Sequence, residues 1–137
     1  MTQGHDVPVE REMGPRLLEI RDLVAGYVPG VDILRGVSMH LDRGELVGII
    51  GPNGAGKSTL IKAIFGLVPI RSGVMELDGE SIVGHPGHEL VERGVGYVPQ
   101  VRNVFTTLTV EENLRMGIFL RPERFVTRRD EVFDLFP

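Results

Sequence analysis

Apolar residues change rhythm several times along this chain, and each change marks an element. LLEIRDL (17–23) alternates apolar and polar positions well enough for a strand. GVSMHL (36–41) alternates in the same way, and DRGE (42–45) then supplies a turn. These two read as an antiparallel edge. ELVGII (45–50) is different: it is continuous and β-branched-rich, the pattern of a strand buried on both faces of a parallel sheet. From Lys57 the rhythm becomes helical, with Leu60, Ile61, Ile64 and Leu67 at helical spacing and Pro69 as the stop. RSGVMELDGE (71–80) reads as turn, short strand, turn. HELVERG (88–94) is a short helix closed by Gly94. VGYVP (95–99) is a second buried-type strand. TVEENLRMGIFL (109–120) opens a helix with Thr109 as N-cap and Glu112 at the third helical position, a capping box. PERFVTRRDEVFDLF (122–136) reads as one more helix.

Strands that alternate with helices argue for an α/β sheet with flanking helices and an antiparallel β edge. Residues 1–15 are polar, carry two prolines and show no period, so they read as a loose tail. The body divides at the end of the VGYVP strand, giving a core over 16–100 and a helical segment over 101–137.

Composition narrows the function classes. The net charge is −4, which offers no broad basic face to nucleic acid. There is no cysteine, hence no disulfide framework and no thiolate metal site. The four histidines (5, 40, 85, 88) have no metal-ligand spacing and read as surface residues. Asp32, Asp42 and Asp78 sit in turn-like contexts and read as turn or cap residues. The longest apolar runs, such as AIFGLVPI (63–70), fall far short of the ~20 residues of a membrane span. No basic stretch with an apolar core opens the chain as a secretory signal would, so the expectation is a soluble, cytosolic protein.

The chemistry concentrates in one stretch. Gly51-Pro52-Asn53-Gly54-Ala55-Gly56-Lys57-Ser58 satisfies G-x-x-x-x-G-K-[ST], with Thr59 next. A loop of small residues can wrap a phosphate chain and aim successive backbone N–H groups at its oxygens. The helix that starts near Lys57 points its N–H groups and the positive end of its dipole the same way. Lys57 would bridge the β- and γ-phosphates, and the Ser58 hydroxyl would ligate Mg²⁺. Thr59 would add a hydrogen bond to the α-phosphate. The chain has two lysines, and one of them stands in this loop.

GPNGAGKSTLIKAIFGL, SGVMELDGESI, VGYVPQ and LTVEENL, in this order and spacing, resemble the nucleotide-binding subunit of an ABC transporter over roughly residues 16–137. VPQVRNVFTTLTVEENLRMGIFLR with a following helix ending DLFP resembles the branched-chain amino acid importers most, although Val101 stands where many of them have glycine. The resemblance implies ATP and Mg²⁺ as ligands. It also implies a second nucleotide-binding subunit and transmembrane permease subunits as partners, and a place on the cytoplasmic face of the membrane. It implies that Tyr27, 24 residues before Gly51, stacks on adenine. Gln100 would be the glutamine that ligates Mg²⁺ or holds the attacking water. Val104, Phe105 and Leu108 would line a groove for a short helix of the permease.

The resemblance also implies parts these 137 residues do not contain: an LSGGQ signature, an apolar strand ending Asp-Glu, and a later histidine. The expectation is an incomplete domain, truncated after the Gln100 region, that binds Mg-ATP but barely hydrolyses it alone. Two other classes stay open. One is a nucleotide-binding module without turnover. The other is a different P-loop enzyme, against which the absence of a guanine-reading N-K-x-D motif argues.

Overall fold

The computed structural model describes residues 14–137, so most of the expected tail lies outside the described residues. They divide into two units, one ending at Arg93 and one running from Gly94 to Pro137.

The first unit is built on a four-stranded antiparallel sheet. Its strands are β1 (Arg16–Ala25), β2 (Leu34–Asp42), β3 (Ile70–Leu77) and β4 (Glu80–Ser81), in the order β2-β1-β3-β4. The alternation of LLEIRDL buries Leu18 and Ile20 on one face of β1. Ile20 pairs with Met39 on one side and with Met75 on the other. The rhythm then slips by one residue, because Leu23 and Ala25 are also buried. A bulge at this point restores their facing: the register shifts after Ile20, and Asp22 takes a φ of 48° while its N–H donates to Ser38 Oγ at 2.9 Å.

Between β2 and β3 the chain forms α1 (Lys57–Ile64), which buries Thr59, Leu60 and Ala63. The sequence suggests Pro69 as its stop, but Gly66 ends it earlier. Gly66 has φ 74°, its N–H donates to the Ala63 carbonyl and the Leu67 N–H to the Lys62 carbonyl. That pair of bonds is a Schellman closure, which needs a left-handed residue. A Cβ on Gly66 would stand 2.4 Å from the His85 carbonyl oxygen. Leu67, expected on the apolar stripe, is consequently exposed. After β4 comes α2 (Gly87–Glu92), whose Leu90 is buried with Met75 and Ile82. The three turn aspartates each pair with an arginine: Asp32 with Arg71, Asp42 with Arg16 and Asp78 with Arg43. His85 is only half-exposed, and its Nδ1 lies 2.6 Å from Glu89 Oε2.

Two expected strands are absent from the described residues. Residues 45–50 form none, and Leu46 and Ile50 are 92% and 96% exposed. In the second unit, 95–99 forms none, and Val98 is exposed. The reason lies in pairing. A strand buried on both faces needs neighbours to take up its N–H and C=O groups. The sheet joins β1 to β4 to one another only. An apolar run states what a segment would bury, but it does not supply the partner.

The second unit contains α3 (Val110–Gly117) and α4 (Phe125–Leu135), the latter entered through a 3-10 turn at Pro122–Arg124. Both halves of the expected capping box form: Glu112 N–H donates to Thr109 Oγ1 at 3.2 Å, and Thr109 N–H donates to Glu112 Oε2 at 2.8 Å. Phe125 is buried, with the Arg115 guanidinium 4.5 Å from its ring centroid.

Candidate functional site

The loop 51–56 and the first turn of α1 form one structure. Ala55 N–H donates to the Pro52 carbonyl at 3.2 Å and closes a turn. Gly54 and Gly56 have φ 83° and 91°. Gly51, Pro52, Asn53, Gly54 and Ala55 are all exposed. The Lys57 ammonium folds into the loop and donates to the Gly51 and Pro52 carbonyls, each at 2.6 Å. Ser58 is exposed, whereas Thr59 is buried. No side chain caps the N-terminus of α1, and no acidic residue stands in its first turn.

These features fit a phosphate chain. The first-turn N–H groups of α1 have no side-chain acceptor, and the helix dipole favours an anion there. Around Gly54 nothing approaches within 4 Å of where a Cβ would stand. A cation and an exposed hydroxyl follow at once. For Mg²⁺ the protein offers Ser58. Among the described residues no group of three or more His, Cys, Asp or Glu side chains gathers to bind a metal.

Tyr27 belongs to the same unit. It lies in the loop between β1 and β2 and is 46% exposed. Lys62 Nζ, on α1, lies over its ring at 5.9 Å from the centroid. The end of this loop also touches the phosphate loop: a Cβ on Gly56 would stand 3.1 Å from Leu34 Cδ2 and 3.5 Å from Ile33 Cγ2. The fold therefore brings Tyr27 alongside the helix that Lys57 starts. Gln100 belongs to the second unit, exposed in a bend after residues 95–99 rather than at the end of a strand. In that unit Val104, Phe105 and Leu108 line a groove of about 750 Å³ with Asn113 and Leu114.

Two organising residues escape the sequence reading. Arg71 pairs with Asp32 and donates to the Val28 and Val31 carbonyls. Asn113 Nδ2 donates to the carbonyls of Phe105, Leu108 and Thr109, and its Oδ1 accepts from Phe105 N–H. Each binds backbone carbonyls, which leave no mark in a sequence pattern. The carboxyl of Glu112 is held below its ordinary value, first by the Thr109 N–H and then by the Thr109 hydroxyl.

Residues 34–136 match the family described as ABC transporter, and the chain belongs to that family. The high-affinity branched-chain amino acid transport ATP-binding protein BraG of Pseudomonas aeruginosa is 40% identical over 117 residues, which cover 85% of this chain and 50% of BraG. The lipopolysaccharide export system ATP-binding protein LptB of Haemophilus influenzae is 38% identical over 108 residues, 76% of this chain and 45% of LptB. A solved ATP-binding subunit of an ABC transporter superposes with a TM-score of 0.64 at 41% identity, covering 75% of this chain and 42% of that one. The fold is thus that of the P-loop ATP-binding domain, of which the antiparallel sheet and helices here form part. The chain spans about half the length of the curated relatives it matches. No helix among the described residues is long and apolar enough to cross a membrane.

Proposed function

We propose that this chain is the ATP-binding portion of an ABC transporter ATPase subunit, with branched-chain amino acid import as its pathway. The observation that carries the reading is the loop 51–56 with Lys57 folded inside it, at the uncapped start of α1. Backbone N–H groups of Gly54 and Gly56 would donate to phosphate oxygens, as would that of Ala55 on leaving the Pro52 carbonyl. Lys57 would turn from the Gly51 and Pro52 carbonyls to the β- and γ-phosphates. Gly51, Pro52 and Asn53 complete the cradle, and Thr59 closes it towards the α-phosphate. Ser58 would ligate Mg²⁺, which when bound neutralises charge on the transferring phosphate; for Gln100 the resemblance implies ligation of Mg²⁺ or a hold on the attacking water. Tyr27 would stack on the adenine.

Lys57 and Gln100 are the residues of this chain assigned to turnover. Positioning and charge stabilisation must act together in phosphoryl transfer, and no general base is evident in the sequence. We assign hydrolysis to the longer protein: a second nucleotide-binding subunit, and permease subunits docked at the groove beside Phe105, on the cytoplasmic face of the membrane. In that protein, 16–100 would act as nucleotide core and 101–137 as the start of a helical subdomain. Residues 45–50 and 95–99 would there gain partner strands.

A second reading is an exporter subunit, favoured by the likeness to LptB. Nucleotide binding without turnover is the alternative if no catalytic half accompanies this one.

The test is a thermal melt with and without Mg-ATP. At 100 times its dissociation constant the nucleotide stabilises by about 2.7 kcal/mol. A shift that disappears in Lys57→Ala supports the reading. No shift in the parent protein overturns it.

A further inference from the structure

Arg71 is the second residue of β3, yet its side chain works on the loop that joins β1 to β2. One guanidinium nitrogen, Nη1, pairs with the Asp32 carboxylate. The other, Nη2, donates to the Val28 carbonyl and, at 3.1 Å, to the Val31 carbonyl. Those two carbonyls flank a tight turn closed by Val31 N–H to the Val28 carbonyl at 3.0 Å. Below the turn, Ile33 N–H donates to the Ala25 carbonyl at 2.9 Å and shuts the base of the loop. Gly26 is pressed into this fold: a Cβ there would stand 2.0 Å from the Val31 oxygen and 3.3 Å from Arg71 Nη2.

Tyr27 lies between the closed base and the clamped turn. Its backbone is therefore fixed on both sides, and its ring is held near Lys62 on α1. Lys62 is five residues along that helix from Lys57, about 7–8 Å of axial rise. The geometry points to Arg71 as a positioning residue for the nucleotide base. It touches no nucleotide itself. It holds the loop so that the Tyr27 ring stands a fixed distance along α1 from the phosphate loop. This rests on the reading of the chain as an ATP-binding portion with Tyr27 as the stacking residue.

The side-chain chemistry is selective. Three acceptors, one carboxylate and two carbonyls, are met by two nitrogens of one planar group. An ammonium is a point charge and cannot reproduce that fork. An ion pair at a partly exposed loop adds little to global stability. Arg71→Lys is therefore expected to leave the fold intact and loosen only the loop.

The experiment is calorimetric titration of the intact protein and of Arg71→Lys, Tyr27→Ala and the double variant. Each is titrated with Mg-ATP and with magnesium tripolyphosphate, which has the phosphates without the base. Arg71→Lys is expected to weaken Mg-ATP about tenfold, the scale of one base–aromatic stack. It should leave tripolyphosphate binding and melting temperature unchanged. It should add almost nothing to Tyr27→Ala, because the two act as a unit. Asp32→Asn keeps both carbonyl contacts and should weaken Mg-ATP by less. Unchanged ATP affinity in Arg71→Lys overturns the inference. So does an equal loss for both ligands, or full additivity with Tyr27→Ala. A parent protein that binds neither ligand overturns the nucleotide reading and the inference together.

Discussion

Gly56 of the phosphate loop is packed against Leu34 at the start of β2: a Cβ on Gly56 would stand 3.1 Å from Leu34 Cδ2. Leu34 is itself buried. The loop thus takes its shape partly from the sheet, through a glycine that also has a φ of 91°. Gly56→Ala meets both obstacles. It should destabilise the protein by about 1–2 kcal/mol from the left-handed backbone alone. Mg-ATP affinity should fall by more than tenfold, since the loop must shift from Leu34. Thermal melts and nucleotide titration of this variant would check the two effects separately.

Gly66→Ala tests the end of α1. The new Cβ would be driven to within 2.4 Å of the His85 carbonyl oxygen, and that backbone cannot swing aside as a side chain can. With the left-handed φ added, the loss should be about 3 kcal/mol. Chemical denaturation should show a lower midpoint at an unchanged slope. A variant as stable as the parent would mean that the Schellman closure does not form.

Acid should loosen α3 before the rest of its unit. The Glu112 carboxyl lies below its ordinary value of 4.5 because the Thr109 N–H and hydroxyl donate to its charged form. A carboxyl depressed in the folded state adds stability that is fully present above its unfolded value. That stability is lost as pH falls through the lower, folded value. Protection of the first-turn amides of α3, measured relative to their intrinsic exchange rates, should therefore decline below about pH 4.5. Glu112→Gln keeps an acceptor but cannot titrate, and should flatten this dependence. Thr109→Ala removes the hydroxyl half of the box and should cost about 1 kcal/mol at neutral pH.

Ile50→Ser asks whether residues 45–50 stand free. Ile50 is 96% exposed, so the substitution should change stability by under about 0.5 kcal/mol. It should also reduce aggregation measured by light scattering. A loss of several kcal/mol would show that the segment is paired and buried in solution.

Sequence reading succeeds here where a rule is local. The Thr109–Glu112 box and the β1–β2 alternation each involve residues close in sequence, and each forms. It fails where the determining partner is remote. ELVGII has the composition of an inner strand, but composition could not reveal that no strand among the described residues runs beside it. Arg71 is one arginine before a Ser-Gly pair that reads as a turn but lies within β3, and its acceptors at Val28, Val31 and Asp32 lie on a different loop. The slip in β1 at Asp22 is also hidden, since LLEIRDL alternates imperfectly whether or not a bulge corrects it. Gly66 ends α1 before Pro69 through its Schellman closure, and the tight approach of the His85 carbonyl to this glycine joins two segments far apart in the chain.

The strand order β2-β1-β3 imposes a schedule on assembly. Ala25 and Leu34 meet across one short loop, so β1 and β2 can zip early. Leu18 reaches Leu77 only after the chain has passed through the phosphate loop and α1. The search for that second pairing is the slow one, because a long closure must be made before any contact rewards it. A polyanion that grips the loop during the search would shorten the free length of chain still to be closed. Nucleotide should then raise the refolding rate as well as the melting point, and the same glycines that shape the cradle would set the pace at which the sheet completes.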